Sequence, residues 1–397
     1  MKFSVLLPTR NRLELLRYAV ETVRRQPYRD WEVIISDNDS EQDIKGFVDA
    51  LEDPRIKYFR TERFVPVTEN WNLALRKSSG DYVIMLGDDD CLMQGYFTTI
   101  HRLIEDFPSP DFIYTSAYLF AYPGVLPEFP KGFLQPYGYA SFFRPSDDAY
   151  WLDRESAREV VDKSLNFRVC FGYNMQYFTI RRSFIESLKH QGDFFQSPYP
   201  DYYAANVSFL KAEKILIYPK PVVTIGISPK SFGYYFFNNQ EKSGVEFLNN
   251  LPDRSVMENL QGIVLPGTDM NTFWLIAMET MKKNYESQMS LDVNHARYRF
   301  LQIFHMARKF FRENDPIGID VLREFNRLLT IKEKYLYAFP MRIYYKTMRI
   351  FPNISGNIIV SRIMRYLASH PQASAMPLDI HCETILDVFE NIPRNTE

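Results

Sequence analysis

The stretch Asp81-Tyr82-Val83-Ile84-Met85-Leu86-Gly87-Asp88-Asp89-Asp90 decides the fold. Five apolar residues, Tyr82 to Leu86, follow one another without a polar break, the pattern of a strand covered on both faces of a sheet. Gly87 ends the run and three carboxylates follow. Adjacent anions at the end of a buried strand repel one another unless a cation neutralises them. Mg²⁺ or Mn²⁺ does this well, because a hard divalent ion prefers carboxylate oxygen and shares its shell with substrate phosphates. The other reading is a solvated acidic turn, with Asp90 capping a helix that begins near Leu92.

Upstream the same kind of run recurs. Phe3 to Leu7 reads as a first strand stopped by Pro8, Trp31 to Ser36 as a second and Ile56 to Phe59 as a third. Asn11 and Glu14 have the spacing of a capping box, and Leu13, Leu16, Val20 and Val23 line one face of the helix it opens. Further helices are expected between Ser40 and Leu51 and over Asn70 to Lys77. Strands alternating with helices predict a parallel α/β sheet with right-handed crossovers. Ligands of such sheets bind outside the carboxyl ends of the strands. Thr9-Arg10, Asp37-Asn38 and Asp88 to Asp90 all sit at those ends, so three separate segments deliver polar groups to one edge. Neither Gly-x-Gly-x-x-Gly nor a P-loop is present, so a diphosphate here would rely on a metal instead of a glycine cradle.

Composition bounds the rest. At 397 residues the chain has room for two or three domains. A formal charge of −2 argues against nucleic acid as a bulk electrostatic partner. Aromatic residues make up 16% of the chain, which suits sugar-stacking faces and thick aromatic cores alike. Cys91, Cys170 and Cys382 are odd in number and far apart, so neither a disulfide framework nor a cysteine zinc site is expected. The apolar runs are too short for a membrane span or a signal peptide, and a cytoplasmic location is expected.

The first hundred or so residues resemble the family 2 glycosyltransferases of the GT-A fold. The resemblance lies in Val5-Leu-Leu-Pro-Thr-Arg-Asn11, in Glu32-Val-Ile-Ile-Ser-Asp-Asn-Asp-Ser40, and in Asn72 with Gly80-Asp-Tyr-Val-Ile-Met-Leu-Gly-Asp-Asp-Asp90. It covers residues 1–115 and grows fainter toward 235. It implies that Pro8, Thr9 and Arg10, with Asn11, Asn38 and Asn72, line a nucleotide site and that Asp37 contacts the base, usually uracil. The acidic triplet would hold Mn²⁺ or Mg²⁺ against the diphosphate. The family's pattern is Leu-Asp-x-Asp-Asp, and Gly87 stands where its first Asp would be. That register makes Asp89 the first-ranked ligand, although an extended loop would point Asp88 and Asp90 the same way and Asp89 the other.

Asp111 to Ser116 reads as another strand, Tyr122 to Asp148 as a long loop and Asp153 to Leu165 as a helix. Tyr177-Phe-Thr-Ile-Arg181-Arg182 resembles the family's strand leading to an Arg-Arg pair. The family places its catalytic base in an acidic motif opening a helix further on, and Pro200-Asp201 stands in that place. Asp201 is therefore the expected base, with Asp193 as fallback; its plain structural role would be to cap the helix running to Leu210. Lys214 to Val223 reads as extended chain. Lys230, in a Gly/Ser-rich loop, would either meet the diphosphate as a point charge or sit in an ordinary surface turn.

From about Pro252 the pattern turns helical, with helices expected over Thr272 to Tyr285, His295 to Arg312 and Ile319 to Leu329. In Lys332 to Phe351 the aromatics Tyr335, Tyr337, Phe339, Tyr344, Tyr345 and Phe351 alternate with Lys332, Lys334, Arg342, Lys346 and Arg349. Such a stretch suits peripheral contact with an anionic membrane, or packing onto the rest of the chain or a homodimer partner. The expected organisation is a GT-A domain over 1–250, its nucleotide-sugar half 1–115 and acceptor half 116–250, then an α-helical domain over 251–397. The expected function is metal-dependent, inverting transfer from a UDP-sugar to a glycan or lipid-linked acceptor in bacterial surface polysaccharide assembly. Two other readings stay open. A nucleotidyltransferase would carry a glycine-rich loop after the first strand, which Pro8-Thr-Arg-Asn11 lacks. A non-catalytic sugar-binding protein would not need the acids at Asp88 to Asp90 and at Asp201.

Overall fold

β1 (Phe3–Thr9), β2 (Trp31–Asp37), β3 (Ile56–Arg60) and β4 (Tyr82–Met85) pair in parallel in the order 3-2-1-4. They are seen in a computed structural model that describes residues 1–146, 148–237, 241–250, 254–311, 319–350 and 376–392. Three helices, α1 (Leu13–Arg24), α2 (Ile44–Ala50) and α3 (Val67–Lys77), make the crossovers. α1 turns Leu16, Val20 and Val23 into the core. Two local expectations fail. Pro8 lies inside β1, because its missing N–H faces β4, and pairing with β4 has already ended at Leu6 and Met85. Asn11 makes no capping box: at φ 55° it turns its Oδ1 to the Glu41 N–H at 2.7 Å, and Gln42 caps Leu13 instead at 2.8 Å.

The sheet continues as a mixed one. β5 (Cys91–Leu92), α4 (Tyr96–Asp106), β6 (Phe112–Ala121), β7 (Phe133–Tyr137), β8 (Tyr150–Leu152) and α5 (Arg154–Leu165) come next. β9 (Phe178–Arg181), α6 (Arg182–Ser187), α7 (Pro200–Lys211) and β10 (Ile215–Ile227) follow. β9 inserts antiparallel between β4 and β6, giving the order β3-β2-β1-β4-β9-β6-β10-β5. The expected loop from Tyr122 to Asp148 contains β7, which pairs antiparallel with β6. The expected extended run is the single strand β10, irregular between Tyr218 and Val223, where Pro219 and Pro221 cannot donate to the ladder. Much of the aromatic content is core: Phe112, Tyr114, Phe171 and Phe178 surround Phe209, with ring centroids 4.9 to 6.0 Å from it.

The chain forms two compact units, and they do not follow a single break at 250. One comprises Met1–Val161, Cys170–Leu251 and Ala373–Glu397; the other comprises Asp162–Val169 and Pro252–Gln372. The C-terminal residues thus return to the first unit. There Leu378 N donates to Leu134 O at 2.7 Å, and the helix Ile385–Asn391 is held by Gln94 to Phe389 O at 2.8 Å and by an Arg25–Glu390 pair at 2.6 Å.

The second unit contains helices Asp269–Tyr285, His295–Phe311, Ile319–Leu328 and Phe339–Ile350, with Phe167, Trp274 and Tyr298 among its buried side chains. Arg299 ties Glu333 to the carbonyls of Gly262 and Ile263. Pro340 does not break the stretch before Ile350. It occupies the first turn of Phe339–Ile350, after a π-helical turn over Lys334–Ala338. Phe351 lies outside the described residues.

Candidate active site

The loop after β4 folds back on itself. Asp90 Oδ2 accepts from the Gly87 N–H at 2.7 Å and from Gln176 Nε2 at 2.6 Å, while its Oδ1 accepts from the Gly226 N–H at 2.9 Å. Asp90 therefore closes a turn and caps no helix; α4 starts later, behind Gly95. Asp88 accepts from Thr9 Oγ1 at 2.7 Å and from Arg12 Nη1 at 2.6 Å. Asp89 accepts from Ser228 Oγ at 2.6 Å through Oδ2, and its Oδ1 lies 3.7 Å from Arg12 Nη1.

Two glycines make this packing feasible. A Cβ on Gly87 would lie 2.5 Å from Asp90 Oδ2, and one on Gly226 would lie 2.0 Å from the Asp89 carbonyl oxygen. The place of the family's first Asp is thus filled by the turn itself.

All three acids are buried beside one another, so their charge has to be balanced locally. Burial and the neighbouring Asp89 push the Asp90 carboxyl up to about 7, against its hydrogen bonds. Burial also raises Asp88, opposed by the Arg12 charge. Burial works against a charged Arg12, but Asp88, Asp89 and Asp90 together hold its guanidinium above the usual value. Arg12 also donates to the Lys230 carbonyl, which brings the loop after β10 onto the first βα turn; Lys230 Nζ reaches Asn11 O at 3.3 Å.

Among the described residues no three His, Cys, Asp or Glu side chains converge as a ready metal cage. Mg²⁺ or Mn²⁺ needs only one or two protein carboxylates when substrate phosphates complete its shell. Asp89 fits that requirement, because among the described residues no donor lies within hydrogen-bond distance of its Oδ1. Asp88 and Asp90 are engaged through both oxygens.

The neighbouring strand end is joined to the same edge. Asn38 N donates to Thr9 O at 2.9 Å, Arg10 Nε donates to Asn38 O at 3.1 Å, and the Arg10 guanidinium stacks 3.7 Å from the Phe64 ring centre. Asp37 is fully buried, accepting from Tyr58 Oη at 2.7 Å and Ser40 N at 3.0 Å. Asn72 is turned away from this group: it clamps the backbone of Phe195 through bonds of 2.8 and 3.2 Å.

Asp201 follows Pro200 in the first turn of α7, and its Oδ1 accepts from the Tyr202 N–H at 3.0 Å. Burial pushes its carboxyl up to about 7, although backbone hydrogen bonds at the helix start pull the other way. Tyr202 stacks on Tyr173 at 4.3 Å. Asp193, the fallback, is exposed and pairs with Arg76 at 3.3 Å. Among the described residues Asp201 shares no hydrogen bond with the acidic triplet. Gln176 is bonded to Asp90, and the hydroxyl of its neighbour Tyr177 donates to Tyr137 O at 3.1 Å.

Arg12, Gln176 and Ser228 hold the triplet, and no sequence motif marks any of the three. Arg12 directly follows the Val5–Asn11 segment. The other two are 86 and 139 residues distant from their acids and leave no local signal.

Residues 4–138 match the model of glycosyl transferase family 2, so the likeness to that family lies in the first third of the chain. It is 39% identical over 102 residues to GalNAc(5)-diNAcBac-PP-undecaprenol beta-1,3-glucosyltransferase of Campylobacter jejuni, covering 25% of this chain and 33% of that one. It is 29% identical over 148 residues to WcaA of Escherichia coli K12, named provisionally for colanic acid biosynthesis, covering 36% and 52%. A third relative is UDP-Glc:alpha-D-GlcNAc-diphosphoundecaprenol beta-1,3-glucosyltransferase WfgD of Escherichia coli, 29% identical over 87 residues, covering 22% and 34%. The likeness therefore spans about a third to a half of these relatives. The mixed α/β sheet with flanking helices agrees with the GT-A arrangement expected of the family. Among the described residues no helix is long and apolar enough to cross a membrane.

Proposed function

We propose that the chain is a metal-dependent inverting glycosyltransferase, moving a sugar from a UDP-sugar to a hydroxyl of a lipid-linked or glycan acceptor in bacterial surface polysaccharide assembly. The observation that carries this reading is the meeting of Thr9, Asn38 and Asp88 to Asp90 with Ser228 and Lys230 at one sheet edge. Two relatives support the substrate class, since one is named for a UDP-Glc donor and both for acceptors on an undecaprenyl diphosphate.

In this reading Pro8, Thr9, Arg10 and Asn11, with Asp37 and Asn38, form the wall against the nucleotide. Because the Asp37 carboxylate already holds Tyr58 and Ser40, it shapes the base pocket together with the Tyr58 hydroxyl. Asp89 would hold the metal, whose Lewis acidity would stabilise the departing diphosphate. Arg12 keeps Asp88 fixed and lowers the charge that the triplet presents. Lys230 adds a cation beside the first βα turn, where its Nζ donates to Asn11 O. Asp201 takes the proton of the acceptor hydroxyl as that oxygen attacks the anomeric carbon and the bond to the diphosphate breaks, which inverts the configuration. A base near pH 7 is well matched to that task.

The test offers the full chain UDP-sugars with Mn²⁺ and an undecaprenyl-diphosphate-linked saccharide, and follows UDP release and product mass. One extended acceptor is expected from one donor. Absence of both transfer and donor hydrolysis with every UDP-sugar would overturn the proposal.

A further inference from the structure

We infer that the second unit carries a docking face for the anionic surface of a lipid bilayer, formed by the helical run from Ile331 to Ile350. Ile331, Tyr335, Leu336, Phe339 and Ile343 are each between 51% and 75% exposed. Ile331, Tyr335, Phe339 and Ile343 recur every fourth residue, so they follow one side of the run. The opposite side is already used. Met341 and Tyr345 are buried, and Tyr337 and Tyr345 pack on Phe300 and Phe304 at ring distances of 5.1 and 6.2 Å. The outer apolar residues are therefore not what holds the helices together. Large contiguous apolar patches left in water mark interaction surfaces.

Charge selects the occupant. Lys332, Lys334, Arg342, Lys346 and Arg349 lie in this run against a single acid, Glu333, which is bonded to Arg299 and Thr330. Lys332, Arg342 and Lys346 are exposed beside the apolar residues. A basic rim of one sign around an apolar ridge suits anionic headgroups with acyl chains beneath, and like charges would oppose a second copy of the same face. Among the described residues no helix can span a bilayer, so the run would lie in the interfacial plane. Its purpose, bringing the chain to an acceptor carried on a lipid, rests on the proposed transferase reading; binding itself is measured without turnover.

The experiment sediments the full chain with vesicles of phosphatidylcholine alone or mixed with phosphatidylglycerol. Wild type is expected to pellet with the mixed vesicles and not with phosphatidylcholine, less so at high salt. The double variant Lys332→Gln, Arg342→Gln should lose about 30-fold in partitioning, roughly fivefold per base. The triple variant Tyr335→Ser, Leu336→Ser, Phe339→Ser should lose at least about tenfold and keep its circular dichroism. Wild type left in the supernatant, or a triple variant that still binds, would overturn the inference. So would a wild-type dimer that the triple variant turns into a monomer, since the face would then join two copies. Vesicle binding without any transfer would sink the transferase reading alone; transfer to a water-soluble acceptor without vesicle binding would sink this inference alone.

Discussion

Replacing Asp201 by Asn should abolish turnover and stabilise the fold at the same time. Burial lifts the Asp201 carboxyl from an ordinary 3.8 to about 7. A base with that value is about one-tenth deprotonated at pH 6, so kcat/KM should fall about tenfold per pH unit below 7. An unperturbed carboxylate would sustain activity down to about pH 4. Asn cannot accept the proton, and kcat should drop by about 10²- to 10⁴-fold.

The stability sign follows from linkage. A raised folded-state pKa means the native state prefers the protonated acid, so its contribution is present below 3.8 and lost as pH rises through about 7. The full difference is about 4 kcal/mol at pH 8, and partial solvent contact at Asp201 reduces it. Asp201→Asn should therefore melt higher than wild type at pH 8 and at nearly the same temperature at pH 3. Steady-state UDP release against pH and thermal melts of both proteins read the two effects. An apparent pKa near 4, or an Asn variant that keeps a tenth of the activity, would refute the reasoning. So would an Asn variant less stable than wild type at pH 8.

Other substitutions probe the frame around the acids. Gly226→Ala places a Cβ 2.0 Å from the Asp89 carbonyl oxygen, so it should cost about 1–3 kcal/mol in denaturant titrations and weaken nucleotide binding without altering any acid. Gly87→Asp restores the family's first acid but drives a Cβ to 2.5 Å from Asp90 Oδ2; a lower melting temperature with no gain in rate is expected. Arg12→Gln leaves the buried acids without their cation, which should cost about 3–5 kcal/mol, roughly 10 °C in a thermal melt. Glu32 is held well below its usual value, since bonds from Lys2, Lys57, Ser4 and the Ser79 N–H outweigh its burial. Its contribution is present above 4.5 and lost as pH falls, so Glu32→Gln should destabilise at pH 7 by an amount that shrinks on acidification.

The parallel half of the sheet was legible because each of its strands is a continuous apolar run ending in a polar cluster. The positions misread there are ones where tertiary context decides. Pro8 is tolerated because the strand on its N–H side has ended, and Asn11 is drawn to the Glu41 amide 30 residues on. β7, Phe133-Leu-Gln-Pro-Tyr137, hides in a loop-like composition because it is a short edge strand containing Pro136. The return of residues 376–392 to the first unit has no periodic signature, being fixed by scattered contacts such as Leu378 to Leu134 and Gln94 to Phe389. At the site, the acids were visible as a cluster, but what holds them was not. Arg12 belongs to no motif, and its burial is matched by its pairing with Asp88, a partner 76 residues away in the chain.

A thermal-shift titration of wild type and Asp89→Ala with UDP, with Mn²⁺ or with chelator, goes to the heart of the account. Ligand at about a hundred times its Kd stabilises by about 2.7 kcal/mol, roughly 5–10 °C for a unit of this size. That shift is expected for wild type with UDP and Mn²⁺ together and should vanish on chelation or in Asp89→Ala. No shift with UDP or any other nucleotide, or one that Asp89→Ala retains in full, would mean that this sheet edge is not a metal-assisted nucleotide site.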